Sequence, residues 1–244
     1  MKLFSALRFL TILPLPGSSE ETLEDIARSS PYYPVVGIFI GILLSLIALI
    51  PLWSPYASAV LILALWVIIT GGLHLDGAAD LADGWAGGRT RENRLRIMSD
   101  SRIGAFGVIA LVVLLLVKLM MIAELLISEM VFLLPLVPMT ARLMAVAAIR
   151  LFPPARSGGM GSVFKSSCRT SHLFSAALFT LLLAWLIAGL PGLLLVILTG
   201  LIILTGCLRV SRKLGGLTGD VYGAVIEYSE VITLVLIIPL WEVI

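Results

Sequence analysis

Asp76, Asp80 and Asp83 are the residues of this sequence best placed to do chemistry. Their i, i+4, i+7 spacing puts all three on one face of a helix, at about 100° per residue. Three negative charges within two turns repel one another, and without a cation they raise their own pKa values or fray the helix. An all-oxygen ligand set suits Mg²⁺, or Mn²⁺, rather than zinc. Gly77, Ala78, Ala79, Ala82 and Gly84 lie between the acids, and Gly87 and Gly88 follow. Small residues let a helix or a phosphate approach the backbone. Then come Arg89, Arg91, Arg94, Arg96 and Arg102, and guanidinium forks match phosphate oxygens. The pattern suits a pyrophosphate: carboxylates hold a metal, Arg89, Arg94, Arg96 and Arg102 bind phosphates, and Asp100 is a further candidate ligand. The bland alternative is an acidic and basic loop that only solvates helix ends. Acid clusters at a membrane are costly and usually functional, which favours the first reading.

Two further polar stretches join this one. GGLTGDVYGAVIEYSE, residues 215–230, places Asp220 and Glu227 seven apart on one helical face, with Glu230 three further on. It is expected to precede the last apolar segment and to complete the metal site or supply a general base. The metal candidates are therefore Asp76, Asp80, Asp83, Asp100, Asp220, Glu227 and Glu230, and the catalytic candidates are Asp80, Asp83, Asp220 and Glu227. PPARSGGMGSVFK, residues 153–165, sets Gly158, Gly159 and Gly161 beside Arg156 and Lys165. It reads as a mobile anion-binding loop, although it lacks the Walker pattern. Arg142 falls inside an apolar run, where pairing with the acidic site is favoured over snorkelling, and it joins the substrate-binding candidates. Lys118 is expected to snorkel. His74 is a ligand, a base or a structural residue. The shared GGLxxD of residues 71–76 and 215–220 is a chance likeness of Gly-rich turns.

The elements that must hold these residues are membrane helices. Of 244 residues, 59% are hydrophobic and only 13% charged, against about 25% charged in soluble domains. The mean hydropathy is +1.09. Six apolar runs reach toward the roughly 20 residues needed to cross a bilayer, near 35–53, 57–73, 103–123, 130–149, 173–188 and 192–208. A seventh run, from 231 to the end, is short for a span: it is re-entrant or borrows length from residues 222–229. Backbone groups in lipid must be bonded internally, so the runs are helices. The expected fold is an all-α polytopic membrane bundle of six to seven helices with cytoplasmic active-site loops. It forms one domain, 1–244, in which residues 1–34 are an interfacial N-terminal segment.

Charge placement sets the orientation. Lys and Arg outside the runs fall at residues 2–28, 89–102, 150–169 and 209–213, and the alternate loops at 54–56, 124–129 and 189–191 have none. By the positive-inside rule the cationic loops are cytoplasmic. The start, KLFSALRFLTILPLPG, is interrupted by Arg8 and lacks a small-residue cleavage site, so it reads as an interfacial amphipathic helix rather than a signal peptide. Residues 18–30 form a solvated connector. Cys168 and Cys207 are expected to be free thiols. No basic patch interleaved with aromatics suggests nucleic acid. The partner implied directly is the lipid bilayer; a homo-oligomer is compatible with the sequence.

LHLDGAADLADGW (73–85), IMSDSRIGAFG (97–107) and GGLTGDVYGAVIEYSE (215–230) resemble the cobalamin synthase family, adenosylcobinamide-GDP ribazoletransferases. RFLTILPLP and YYPVVGIFIG near the N-terminus extend the likeness over essentially the whole chain. The resemblance implies a Mg²⁺-dependent enzyme of the cytoplasmic membrane. It would join adenosylcobinamide-GDP to α-ribazole, or its 5′-phosphate, giving adenosylcobalamin, or its phosphate, and GMP. The ribose 3′-hydroxyl would attack the phosphorus attached to cobinamide. A fainter likeness links Asp80, Asp83, Gly84 and Arg89 to the D-x-x-D-G-x-x-A-R start of the CDP-alcohol phosphotransferases. Here Gly87 replaces the Ala, one residue is inserted before Arg89, and the second half of that motif is absent. A phospholipid enzyme of that kind, and an ion-coupled transporter, are the alternatives.

Overall fold

A computed structural model describes residues 2–15, 21–50 and 54–243. The end of the first expected span, at 51–53, and the beginning of the 18–30 connector lie outside the described residues. The described chain is helical, without a β-strand; Pro154 and Leu217 form an isolated bridge. Eleven helices run in chain order: α1 (Lys2–Leu10), α2 (Leu23–Arg28), α3 (Tyr33–Ala48), α4 (Pro55–Thr70), α5 (Leu73–Gly87), α6 (Arg91–Met98), α7 (Ala105–Ile127), α8 (Leu136–Leu151), α9 (Met160–Ser167), α10 (Thr170–Leu214) and α11 (Gly219–Val243).

Among the described residues, five helices are long and apolar enough to cross a membrane, and the pair α4–α5 makes a sixth if taken as one bent span. At about 1.5 Å per residue, the 45 residues of α10 would extend about 68 Å, twice a bilayer core. The helix instead breaks at Gly189, whose φ of 57° and ψ of −139° are non-helical. A Cβ on Gly192 would collide with the carbonyl of Ala184. Eight residues apart on a straight helix those positions would be about 12 Å distant, so α10 is a hairpin. Its two arms are the two spans expected on either side of 189–191.

The last segment takes the second of its two expected forms, borrowing length from residues 222–229. α11 is continuous from Gly219, and Gly219–Trp241 qualifies as a span. Residues 222–229 therefore belong to the membrane helix, and Glu227 and Glu230 sit within it rather than on a polar loop before it. Helix continuity is the reason: no Gly or Pro in positive φ interrupts 219–238.

α8 is the central post, with every residue from Leu136 to Ile149 buried. α3 meets it through Gly37 and Gly41, where a Cβ would strike the backbone of Pro138 and Pro135. α4 and α5 are joined by Gly71 and Gly72 at φ of 63° and 68°. Two successive left-handed residues are cheap only for glycine, and the helices meet at 90°. This bend turns α5 inward, to pack between α7 and α11. Leu75 and Ala78 of α5 share an apolar cluster with Leu114 and Ala224.

Candidate functional site

α5 and α11 touch through glycine. A Cβ on Gly77 would lie 2.5 Å from the Asp220 carbonyl oxygen, and one on Gly223 would lie 3.3 Å from the His74 backbone. This contact brings the two acidic segments together. Asp76, Asp83 and Asp220 all act electrostatically on Asp80, and Asp76 and Arg156 act on Asp220. The third segment is tied to the same place by backbone. Ala155 N–H donates to the Leu217 carbonyl at 2.9 Å, and Leu217 N–H donates to the Pro153 carbonyl at 2.8 Å. Arg91 strengthens the join, donating from Nε to the Leu214 carbonyl and from Nη2 to the Ala155 carbonyl, both at 2.8 Å.

A cavity of about 270 Å³ opens where these segments meet. One part of its wall is polar, formed by Asp76, Asp220, Thr218 and Arg156 with Gly159 and Gly161. The Thr218 hydroxyl donates to Asp220 Oδ2 at 3.2 Å. The rest of the wall is apolar and includes Phe9, Tyr33, Ile149 and Phe164. Among the described residues, Asp76, Asp80 and Asp220 form no ion pair. They are a concentrated negative charge beside a cavity that also presents an arginine and a glycine loop.

Asp83 does something else. Its Oδ2 accepts from Gly104 N–H at 2.7 Å and its Oδ1 from Gly107 N–H at 2.8 Å. A Cβ on either glycine would collide with the carboxyl group. Asp83 therefore caps the N-terminus of α7 from a neighbouring helix, where unpaired N–H groups and the helix dipole both favour a carboxylate. Asp83, expected as a metal or catalytic residue, thus acts as a helix cap at the α5–α7 contact and is not part of the cavity wall. The three acids do not share one environment: Asp76 is exposed, Asp80 half-buried and Asp83 buried.

Glu227 and Glu230 are also removed from the site. Lys118 Nζ donates to Glu227 Oε2 at 2.6 Å and to Glu230 Oε2 at 2.5 Å. Arg142 pairs with the other oxygen of Glu230. All four are at most 3% exposed, and Lys118 lies 4.8 Å from the Trp66 ring centre. Two cations and two anions balance inside the bundle. Lys118 thus does not snorkel, because its partners are on α11. Arg142 pairs with an acid, as favoured from the sequence, but its full burial removes it from substrate binding.

The remaining arginines lie outside the cavity wall. Arg94 stacks over Trp85 at 5.0 Å and donates to the Gly88 carbonyl at 2.9 Å. Arg102 forms a bidentate pair with Asp100 at 3.0 and 2.8 Å. That hydrogen bonding holds the Asp100 carboxyl down at about 2, and Asp100 is spent on its neighbour rather than on a site ligand. Arg89 and Arg96 are exposed. Lys165 donates to the Arg150 carbonyl. Arg156, which donates to the Leu95 carbonyl at 2.5 Å, is the one predicted phosphate binder in the cavity wall. His74 and Tyr222 are cavity residues too, both buried. Tyr222 was within a singled-out segment but carried no charge to mark it. Cys168 and Cys207 are free thiols.

Among the described residues, no group of three or more His, Cys, Asp or Glu is close enough to cage a metal ion. Mg²⁺ is commonly held by one or two carboxylates together with substrate phosphates and water. One or two of Asp76, Asp80 and Asp220 would suit that kind of open site.

A family model described as cobalamin-5-phosphate synthase matches residues 2–238. Among curated proteins, the chain is 43% identical to an adenosylcobinamide-GDP ribazoletransferase of Desulfitobacterium hafniense, covering 98% of this chain and 97% of that protein. It is 39% identical to proteins of the same name from Roseiflexus sp. and Brevibacillus brevis. These matches cover 94% and 97% of this chain, and 86% and 97% of the relatives. No solved structure matches.

Proposed function

The chain belongs to the cobalamin-5-phosphate synthase family, and on that premise we propose that it joins adenosylcobinamide-GDP to α-ribazole, or to ribazole 5′-phosphate, with release of GMP. The observation that carries the reading is the meeting of Asp76 and Asp220 with Arg156 and the glycine loop at one cavity, with Asp80 within electrostatic reach of both acids. Bond changes are few. The ribose 3′-oxygen forms a bond to the phosphorus attached to cobinamide, the bond from that phosphorus to the GMP oxygen breaks, and the hydroxyl proton leaves.

Asp76 and Asp80, together with substrate phosphates and water, would hold Mg²⁺, whose chemistry when bound would be to neutralise the pyrophosphate and the departing GMP. Arg156 binds a phosphate oxygen. Thr218 engages one oxygen of Asp220, which leaves the other to take the hydroxyl proton. The apolar walls exclude water, which would otherwise compete as acceptor and hydrolyse the donor. The substrates belong in the cytoplasm, and the cationic loops at the site's end of the bundle support a cytoplasmic orientation in the cell membrane.

Neither phospholipid synthesis nor ion-coupled transport draws support from the relatives. The test is GMP release by the purified protein with adenosylcobinamide-GDP and α-ribazole. GMP should form only with both substrates and Mg²⁺ present, and stop with a chelator. Undiminished turnover in excess chelator would remove the metal from the proposal. No GMP under any condition, with consumption of CDP-diacylglycerol instead, would overturn the reaction.

A further inference from the structure

Two buried polar atoms in the cavity wall have no hydrogen-bond partner: Nε2 of His74 and the hydroxyl of Tyr222. His74 is 3% and Tyr222 6% exposed. A buried polar group without a partner is costly, and in a native protein it asks for an explanation. The Tyr222 hydroxyl lies 3.7 Å from where a Cβ on Gly161 would be, so it faces the glycine loop. Aromatic rings line the same cavity. Phe9 is 5.9 Å from Tyr33 and 5.5 Å from Phe164, between ring centres. Ala145, Ile149 and Ile226 complete an apolar lining.

This part of the cavity is poor in polar groups, and that discriminates between the two bases of the reaction. Guanine carries several donors and acceptors on its edges, each of which needs a partner when buried. The base of ribazole is a dimethylated benzimidazole: planar, apolar, and with one free ring nitrogen that accepts a hydrogen bond. We propose that the aromatic end of the cavity is the acceptor subsite, where the ribazole base lies among Phe9, Tyr33 and Phe164 and its free ring nitrogen accepts from the Tyr222 hydroxyl. The inference rests on the reaction proposed above and adds to it which substrate enters the cavity and what selects its base.

The test uses the full-length purified protein and three variants. Tyr222→Phe removes only a hydroxyl that has no partner in the protein, so folding should be undisturbed. The KM for α-ribazole should rise about tenfold, while the KM for adenosylcobinamide-GDP stays within twofold. Ala145→Leu, which fills the apolar lining, should raise the same constant further. Phe164→Leu should narrow the preference for ribazole over an α-riboside with a more polar base. Unchanged ribazole KM in Tyr222→Phe would overturn the subsite, as would a rise confined to the GDP substrate, which would place guanine there instead. Binding of α-ribazole alone, followed by its own fluorescence, separates the two levels of argument. Wild-type protein that releases no GMP but binds ribazole in a Tyr222-dependent way defeats the reaction and keeps the subsite. Turnover with a Tyr222-independent ribazole KM does the reverse.

Discussion

Asp220 and Glu227 stand seven residues apart on one helix, yet the bundle treats them in opposite ways. Asp220, in the first turn of α11, lies at a cavity with Arg156 and Asp76 near and no ion pair. Glu227, two turns deeper, is locked to Lys118 beside Glu230 and Arg142. The difference lies in which helices face each level of α11. At the first turn these are α5 and the glycine loop, which bring like charge and open space. Two turns in they are α7 and α8, which bring a lysine and an arginine. Charge left uncompensated near a cavity is available to a ligand; charge neutralised in the interior holds helices in register. Breaking a buried pair leaves a charge stranded, which costs far more than an exposed pair contributes.

The largest effect should come from the buried side of this contrast. Glu230→Gln removes the carboxylate that Lys118 and Arg142 share, and should destabilise the bundle by about 3–5 kcal/mol. The measurement is the melting temperature of the protein in detergent, with yield as a second readout. A melting curve that overlays the wild type would show that the network holds nothing together.

On the open side the effect should appear in turnover instead. Asp80→Asn keeps the size of the side chain and removes one of the crowded charges. GMP release should fall by two to three orders of magnitude, about 3–4 kcal/mol in the barrier, with melting unchanged or slightly raised. Asp220→Asn should behave alike, and the double variant should be little worse than either, because residues that act as a unit are not additive. Near-normal turnover of Asp80→Asn at limiting Mg²⁺ would make the acidic face structural.

Arginines sharpen the comparison further. Arg156→Ala should weaken the GDP substrate by about 1.5–3 kcal/mol, the range for a charge-assisted bond. Arg96→Ala, exposed and outside the cavity wall, should stay within about 0.5 kcal/mol. Equal losses in both would mean that phosphate contacts extend beyond the cavity to α6. The gentlest probe concerns sidedness. Cysteines at Ser101 and Ser166, in a chain without Cys168, should resist a membrane-impermeant thiol reagent in intact cells while folding normally. Ready labelling of either would put the site's loops on the outer side and separate it from cytoplasmic nucleotide.

The sequence determined the class of fold and the segments of the site by short-range physics. Length and hydropathy of a run are properties of consecutive residues, and bilayer thickness converts them directly into helices. The reversal at Gly189 was legible for the same reason, since a Gly and a Pro mark it locally. The three site segments were legible because acids and arginines are rare in so apolar a chain, and in these segments they stand beside clustered glycines. The tertiary structure alone decided which charges stay free. Asp83 and Asp80 look equivalent in sequence, but Gly104 and Gly107 lie more than twenty residues away and turn only Asp83 into a helix cap. Lys118 looks solitary until α7 is laid against α11, where Glu227 and Glu230 are more than a hundred residues downstream. Tyr222 bears no charge, and only the cavity beside its hydroxyl singles it out. A carboxylate's role is fixed by its partners, and partners brought together by packing leave no periodicity along the chain.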